Sequence, residues 1–348
     1  MHRSIRQENK LSVKYAYMKK QSPPTSKQVA VRAQVSQSTV SRVFSGMEGI
    51  SEATKKRVFS AAQEIGYRPN AIARSLILNR SNLIAMVALG VQNPYYNVVI
   101  NKVASRIQKM NREPLFFIAE EEKGVDQILG QVMQYRVDGI IVLSAEMSHE
   151  MAAEFEKIKT PMVIFNKLTH IANVKTICSD NEKAGREAAD HLFYRGYRQP
   201  VFVGSSTFSI TSLTRQKGFE SRYEELGCKV QVLQQTPYSY QSGKTIIEYL
   251  IKSQTSFDSI FCAADLLALG AIDQLRESSL RIPEDVGVIG FDDIESASWP
   301  TYQLTTFSQK TETMLDACFA YLDKKLEGYE NGNDIQLFPC ELIHRKTT

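Results

Sequence analysis

The chain has 348 residues, 43% hydrophobic and 23% charged, the make-up of a soluble globular protein long enough for two or three domains. Its net charge is only +4, but residues 1–80 hold 15 Lys/Arg against 4 Asp/Glu and the rest 27 against 34, so a basic head sits on an acidic body and the head suits a polyanion. Five scattered cysteines without a C-x-x-C pair, and five histidines (His2, His149, His170, His191, His344) without metal-ligand spacing, exclude a disulfide framework and a zinc site.

Residues 1–22 read as a disordered extension: they lack the apolar stretch of a secretion signal, and Met18 could serve as the start. No apolar run in the chain approaches a membrane span. From Thr25 the run TSKQVAVRAQVSQSTVSRVFSG predicts two short helices. Thr25 with Gln28 three residues on makes a capping box, and Val29, Ala30 and Ala33 form an apolar stripe. Ser36 is a natural cap for a second helix with Val40 and Val43 on its inner face. Two or three intervening residues force the helices to cross sharply. A third helix starts at Ser51, buries Val58, Ala62 and Ile65, and stops at Gly66. Gln37, Ser38, Thr39, Ser41 and Arg42 crowd the second helix with small donors that suit base edges in a major groove, and the helix tip favours phosphate. With the caps Thr25 and Ser36 they make the candidate DNA-contact set.

The run VSQSTVSRVFSG, followed by ISEATKKRVFSAAQEIGYRPNAIARSL, resembles the head of the LacI/GalR family of bacterial transcription regulators, and the likeness extends through the whole chain. Gln34 departs from the pattern, standing in the interhelical turn where the family usually has glycine. At positive φ a side chain there costs on the order of 1 kcal/mol, and the turn is expected to survive it. The resemblance implies a hinge helix within 69–80, too short to be stable alone. There Leu76 would wedge between central base steps, with Asn70 and Ala73 against the minor groove. That geometry requires two chains, hence a homodimer.

After Arg80 short apolar runs alternate with helical stretches. LIAMVAL, PLFFIAE, GIIVLSA and PMVIFNK are followed by a short VKTICSD, then by QPVFVGSS, KVQVLQQ, SIFCAAD and VGVIGFDD, the signature of buried parallel strands in doubly wound sheets. The expected organisation is therefore multidomain, with an all-α helix-turn-helix head (23–68), a linker (69–80) and an α/β body (81–348). By resemblance the body is periplasmic-binding-protein-like (type I), with two lobes, about 81–179 with 309–337 and about 180–308 with 338–348. The chain would cross between them near Asp180, Ser308 and Phe338.

Ligands of such sheets sit at the carboxyl ends of the strands. Asn166, Asp265 and Asp292 end strands there, Arg215 opens a helix, and Tyr95 and Tyr96 follow Asn93-Pro94. Carboxylates and an Arg fork can grip vicinal hydroxyls while flat aromatics cover a sugar's apolar faces. The resemblance implies effector contact at Asn166, Arg215 and Asp292 and adds Tyr95, Tyr96 and Tyr238 to the cleft. Asp265 is also set to cap the helix that follows. Ala264, where many relatives carry Asn or Thr, removes a polar contact, so the effector is not held as in lactose-type proteins.

The turn ALGVQNP lacks G-x-G-x-x-G, no P-loop or G-x-S-x-G occurs, and Gly204-Ser205-Ser206 is only a strand-end turn. No catalytic residue, metal or cofactor is expected. The reading is a cytoplasmic repressor of a carbohydrate operon, bound to double-stranded operator DNA as a homodimer and controlled by a sugar or sugar phosphate. The ending ELIHRKTT carries no leucine heptad, which favours a dimer over a tetramer. A stand-alone or transport-type sugar-binding module explains the lobes but not the head; an α/β sugar enzyme would need a catalytic set that the sequence does not offer.

Overall fold

The computed structural model describes residues 23–68, 81–89, 93–119, 124–143, 147–169, 171, 174–204, 209–234, 238–329 and 334–348. The expected extension and the hinge, with Asn70, Ala73 and Leu76, lie outside the described residues. The chain divides into two units, Met1–Ser81 and Asn82–Thr348.

In the first unit α1 (Ser26–Ala33), α2 (Gln37–Phe44) and α3 (Glu52–Ile65) each begin at a side chain able to take an orphan N–H. Thr25 Oγ1 accepts from Gln28 while Gln28 Oε1 accepts the Thr25 N–H at 2.8 Å. Ser36 Oγ accepts from Thr39 at 3.1 Å and Ser51 Oγ from Thr54 at 3.3 Å. Such caps contribute about 1 kcal/mol each. Gln34 closes α1 in the left-handed region, φ 53°, its N–H returned to the Ala30 and Val31 carbonyls. Val29, Ala30, Ala33, Val40, Val43, Val58, Ala61 and Ala62 fill the small core. Ile65, expected inside, is half-buried, because it is the last residue of α3 and lies at the core's edge; Ala61 is buried instead. Phe44 meets Phe59 and Tyr67 edge-on at 5.3 and 5.7 Å.

The second unit holds two six-stranded sheets. The first contains β1 (Leu83–Leu89), β2 (Glu113–Ala119), β3 (Gly139–Leu143), β4 (Met162–Phe165), β5 (Lys175–Ser179) and β11 (Ile335–Phe338), in the order β11-β5-β4-β3-β1-β2. All its pairings are parallel. The second contains β6 (Pro200–Gly204), β7 (Gln231–Gln234), β8 (Ser259–Cys262), β9 (Gly287–Phe291), β10 (Thr305–Ser308) and β12 (Glu341–Ile343), in the order β12-β10-β9-β8-β6-β7. Only β12 is antiparallel there. Strands covered on both faces must be apolar throughout, and β3 and β9 are buried at every position.

Three segments carry the chain between the sheets. The first follows β5 at Asp180, the second joins β10 to α11 (Thr311–Leu326), and the third joins β11 to β12. α11 packs on β4 and β5 of the first sheet. Each lobe has a sheet-face cluster of its own, aliphatic around Val87, Leu129 and Ile164 in the first and aromatic around Phe202, Phe219, Phe261 and Phe307 in the second.

In the second lobe α7 (Asn181–Tyr194) lies against α8 (Ile210–Glu225) with almost no gap. A Cβ on Gly185 would stand 2.2 Å from the Arg215 carbonyl oxygen, and one on Gly218 2.0 Å from that of Glu182. Only glycine permits this approach, and the approach sets Arg215 beside the start of α7.

Candidate functional site

Two regions of the chain gather polar side chains, one exposed and one buried. The first is the N-terminal end of α2. Gln37, Ser38, Ser41 and Arg42 are exposed on the side away from Val40 and Val43. The half-buried Thr39 and the Ser36 cap are tied together at 2.9 Å, and Ser36 also meets Ser38 at 2.7 Å. Gln37 Nε2 donates to Ser26 Oγ at 2.9 Å, bracing the tip of α2 on the start of α1. Arg42 makes a long contact to the Glu48 carbonyl, 3.4 Å. A helix tip with free amides, a positive dipole end and short donors fits a phosphate-lined groove. Thr25, by contrast, spends its hydroxyl within the capping box.

The second region lies between the two lobes of the body. β9 is followed by Asp292, whose φ of 117° is rarely adopted by an L side chain. The residue is 7% exposed. Its Oδ2 accepts from Asn93 Nδ2 at 2.7 Å and its Oδ1 from Gln309 Nε2 at 2.8 Å. Burial pushes the carboxyl up, opposed by the Arg215 charge and by these two amide bonds. Asn93 caps α4 (Pro94–Lys109) through its other end, Oδ1 accepting from Tyr95 N–H at 3.0 Å. Arg215 is buried, donating from Nε to Asn181 Oδ1 at 2.8 Å and from Nη1 to the Ala263 carbonyl at 2.5 Å. Its guanidinium lies 3.4 Å over the Phe291 ring, a cation–π contact in a desolvated setting.

A cavity of about 410 Å³ opens between the start of α4, the end of β9 and the β10–α11 segment, lined by Tyr95, Val98, Asp292, Ile294, Gln309 and Thr311 among others. Of the effector residues expected from sequence, Tyr95 and Asp292 come together on it. Tyr95 is 6% exposed, part of the hydrophobic core, with its hydroxyl 3.1 Å from Thr311 Oγ1. Tyr96 meets it edge-on at 5.2 Å. Asn166, Arg215, Tyr238 and Asp265 do not line this cavity. Asn166 is 1% exposed in a left-handed conformation, its Nδ2 a long 3.5 Å from Tyr96 Oη and its buried Oδ1 without a hydrogen-bond partner among the described residues. Tyr238 packs beside the core clusters of the body.

Asp265 departs from expectation in both of its roles. The cap position of α10 (Asp265–Glu277) is Ala264, which has no side chain to offer, and Asp265 lies inside the first turn. Its carboxylate is fully buried, taking the Thr306 hydroxyl at 2.5 Å and the Ile294 N–H at 2.9 Å. Both oxygens are thus used in fixing the segment after β9, leaving none turned to a ligand. Burial, and then the neighbouring Asp292 charge, push this carboxyl up to about 7.

Asn93, Gln309, Ser179 and Asn181 were not candidates. Asn93 carried one signal, an Asn-Pro pair at a helix start; nothing local marks Gln309, whose amide oxygen accepts from Ser179 Oγ at 2.7 Å. The rings of His191 and His344, far apart in sequence, lie 4.9 Å apart, yet no group of three metal-ligating side chains occurs among the described residues. No helix among them is long and apolar enough to cross a membrane.

A three-helix head with a polar, exposed second helix, joined to two parallel-sheet lobes that meet at buried polar groups, defines a helix-turn-helix transcriptional regulator with a periplasmic-binding-protein-like body. Comparison with known proteins agrees domain by domain. Residues 25–70 match the model of bacterial regulatory proteins of the lacI family, and residues 189–348 match that of the periplasmic binding protein-like domain. The chain belongs to the LacI/GalR family. It is 26% identical over 336 residues, 95% of this chain and 98% of the relative, to the HTH-type transcriptional repressor CytR of Escherichia coli (strain K12). Its fold matches the lac repressor dimer bound to operator and the anti-inducer ONPF, with a TM-score of 0.84 and 24% identity over 93% of this chain and 99% of that one. A complex of the transcriptional regulator CelR with cellobiose matches with a TM-score of 0.68 and 25% identity, over 93% of this chain and all of that one.

Proposed function

We propose that this chain is a homodimeric, cytoplasmic repressor of a carbohydrate-utilisation operon, and that a sugar or sugar-derived effector held between its lobes sets its affinity for double-stranded operator DNA. Gln37, Ser38, Thr39, Ser41 and Arg42 would read base edges, with Thr25 and Ser36 toward the backbone and Asn70, Ala73 and Leu76 in the minor groove. Tyr95, Tyr96, Asn166, Arg215, Tyr238 and Asp292 would hold the effector, while Asp265 stabilises the segment behind Asp292. The residues offered are grips for hydroxyls, so no catalysis is proposed.

One observation carries this reading: a single chain joins an exposed polar helix tip on a basic head to a buried carboxylate at the meeting of two lobes. The operator and anti-inducer bound to the lac repressor, and the cellobiose bound to CelR, support the same pairing of partners. The mechanism is linkage: an effector that favours one arrangement of the lobes shifts operator affinity by its differential binding energy, ordinarily about 1–3 kcal/mol.

The test is selection of genomic fragments by purified protein at near-physiological salt, followed by sequencing. A recovered near-palindrome is expected, and the genes beside it nominate the sugar to titrate. If nothing is enriched, with or without sugars, the stand-alone sugar-binding module takes over.

A further inference from the structure

Four side chains form a continuous hydrogen-bonded string through the body: Asn93 to Asp292 at 2.7 Å, Gln309 to Asp292 at 2.8 Å, and Ser179 to Gln309 at 2.7 Å. Their positions in the chain give the string its meaning. Asn93 precedes α4 in the first lobe, and Asp292 follows β9 in the second. Gln309 lies in the second crossing segment, and Ser179 ends β5 one residue before the first. The string therefore joins both lobes and two of the three segments about which they would move, and separating the lobes breaks it at Asn93–Asp292.

The Asn93 amide has no freedom to turn over. Its oxygen is needed by the Tyr95 N–H, at 3.0 Å, and only its NH2 end can satisfy a carboxylate. On the other side, Asp292 is held at φ 117° with both oxygens occupied. A buried carboxylate in a rarely populated backbone conformation persists where its surroundings over-determine it, and half of that determination comes from the opposite lobe.

We propose that Asn93 is a lobe latch: its amide occupies Asp292 Oδ2 and holds the two lobes closed in the absence of any effector. If Asp292 is the effector grip proposed above, a ligand donor aimed at that oxygen competes with the Asn93 amide.

The test uses the full chain with neither DNA nor sugar present, so its failure is separable from failure of the repressor reading. Hydrogen exchange by mass spectrometry follows the amides of residues 95–98 and 308–313. Asn93→Ser keeps an acceptor for the α4 cap but is too short for Asp292. Asn93→Asp is an equally good cap but replaces the donor with a second acceptor. Both variants are expected to exchange about tenfold faster in the two segments, as for loss of one hydrogen bond to a charged group. Pairing Asn93→Asp with Asp292→Asn restores a donor–acceptor pair with its polarity reversed and should return exchange toward the wild-type rate. Amides of β1 and the melting temperature report the fold itself, and the Asp variant decides the matter if Ser weakens α4. The latch is overturned if Asn93→Asp exchanges like the wild type, or if the double variant is no slower than Asn93→Asp alone.

Discussion

The head and the body of this protein are specified in different ways. In the head each helix begins at a cap written beside it, Thr25, Ser36 or Ser51, and the core is a few Val and Ala residues at helical spacing. Those caps each span three residues. In the body α10 and α11 start with no side-chain cap at all, and the groups that matter meet across 199 residues for Asn93 and Asp292 or 130 for Ser179 and Gln309. Local capping can be read from a few letters and tolerates local change; long-range closure cannot be read that way and fails when one close approach is lost.

The sharpest test of that contrast is Gly218→Val. The added Cβ would lie 2.0 Å from the Glu182 carbonyl oxygen, a backbone atom with no rotamer to change, so α8 must move off α7 and take Arg215 with it. Overpacking of this severity costs about 3 kcal/mol or more. The second lobe should lose cooperative melting and its Arg215–Asn181 contact, while exchange protection of Val40 in the head stays near its wild-type value. Loss of both together would mean that the head depends on the body, and the contrast would collapse.

The same contrast explains what could be read in advance. The three helices, their caps and the alternation of strands and helices were legible because each rests on periodicity or on a residue beside its partner. Asp292 was legible because it follows a buried strand. Gln309 was not, because its partners come from β5 and β9 and nothing near it in the chain marks it. Asp265 misled for an instructive reason. A carboxylate between a strand and a helix looks like an N-cap, but the cap position falls one residue earlier, at Ala264, and the acid turns inward to Thr306 and Ile294. A one-residue shift of a helix start exchanges a surface cap for a buried acid.

That buried acid gives the body a pH dependence. The Asp265 carboxyl is pushed from its ordinary 3.8 up to about 7, so between those values the folded chain keeps a proton that the unfolded chain has released. Stability from this group is complete below the unfolded value and falls as pH rises through the folded one, levelling off above it. Asp292, also raised, acts in the same direction. Asp265→Asn can still accept from the Ile294 N–H and can donate to the Thr306 hydroxyl, so it should flatten the slope and be more stable than the wild type above neutrality. Urea unfolding across that pH range measures it. An unchanged slope would assign the dependence to Asp292 instead.

The smallest effect belongs to the head and has the opposite sign. Gln34 holds φ 53° and ψ 48° at the end of α1, its N–H bonded back to Ala30 and Val31, so its backbone does what a glycine would do at less strain. Gln34→Gly should therefore stabilise the head by about 1 kcal/mol, reduced somewhat by glycine's greater freedom in the unfolded chain. Because the side chain is exposed and is not among the residues proposed to face DNA, operator affinity should change little while exchange at Val29 and Val40 slows. A destabilised Gln34→Gly head would mean that chain entropy outweighs left-handed strain at this turn. The local rules that make the head legible would then have the right geometry and the wrong sign.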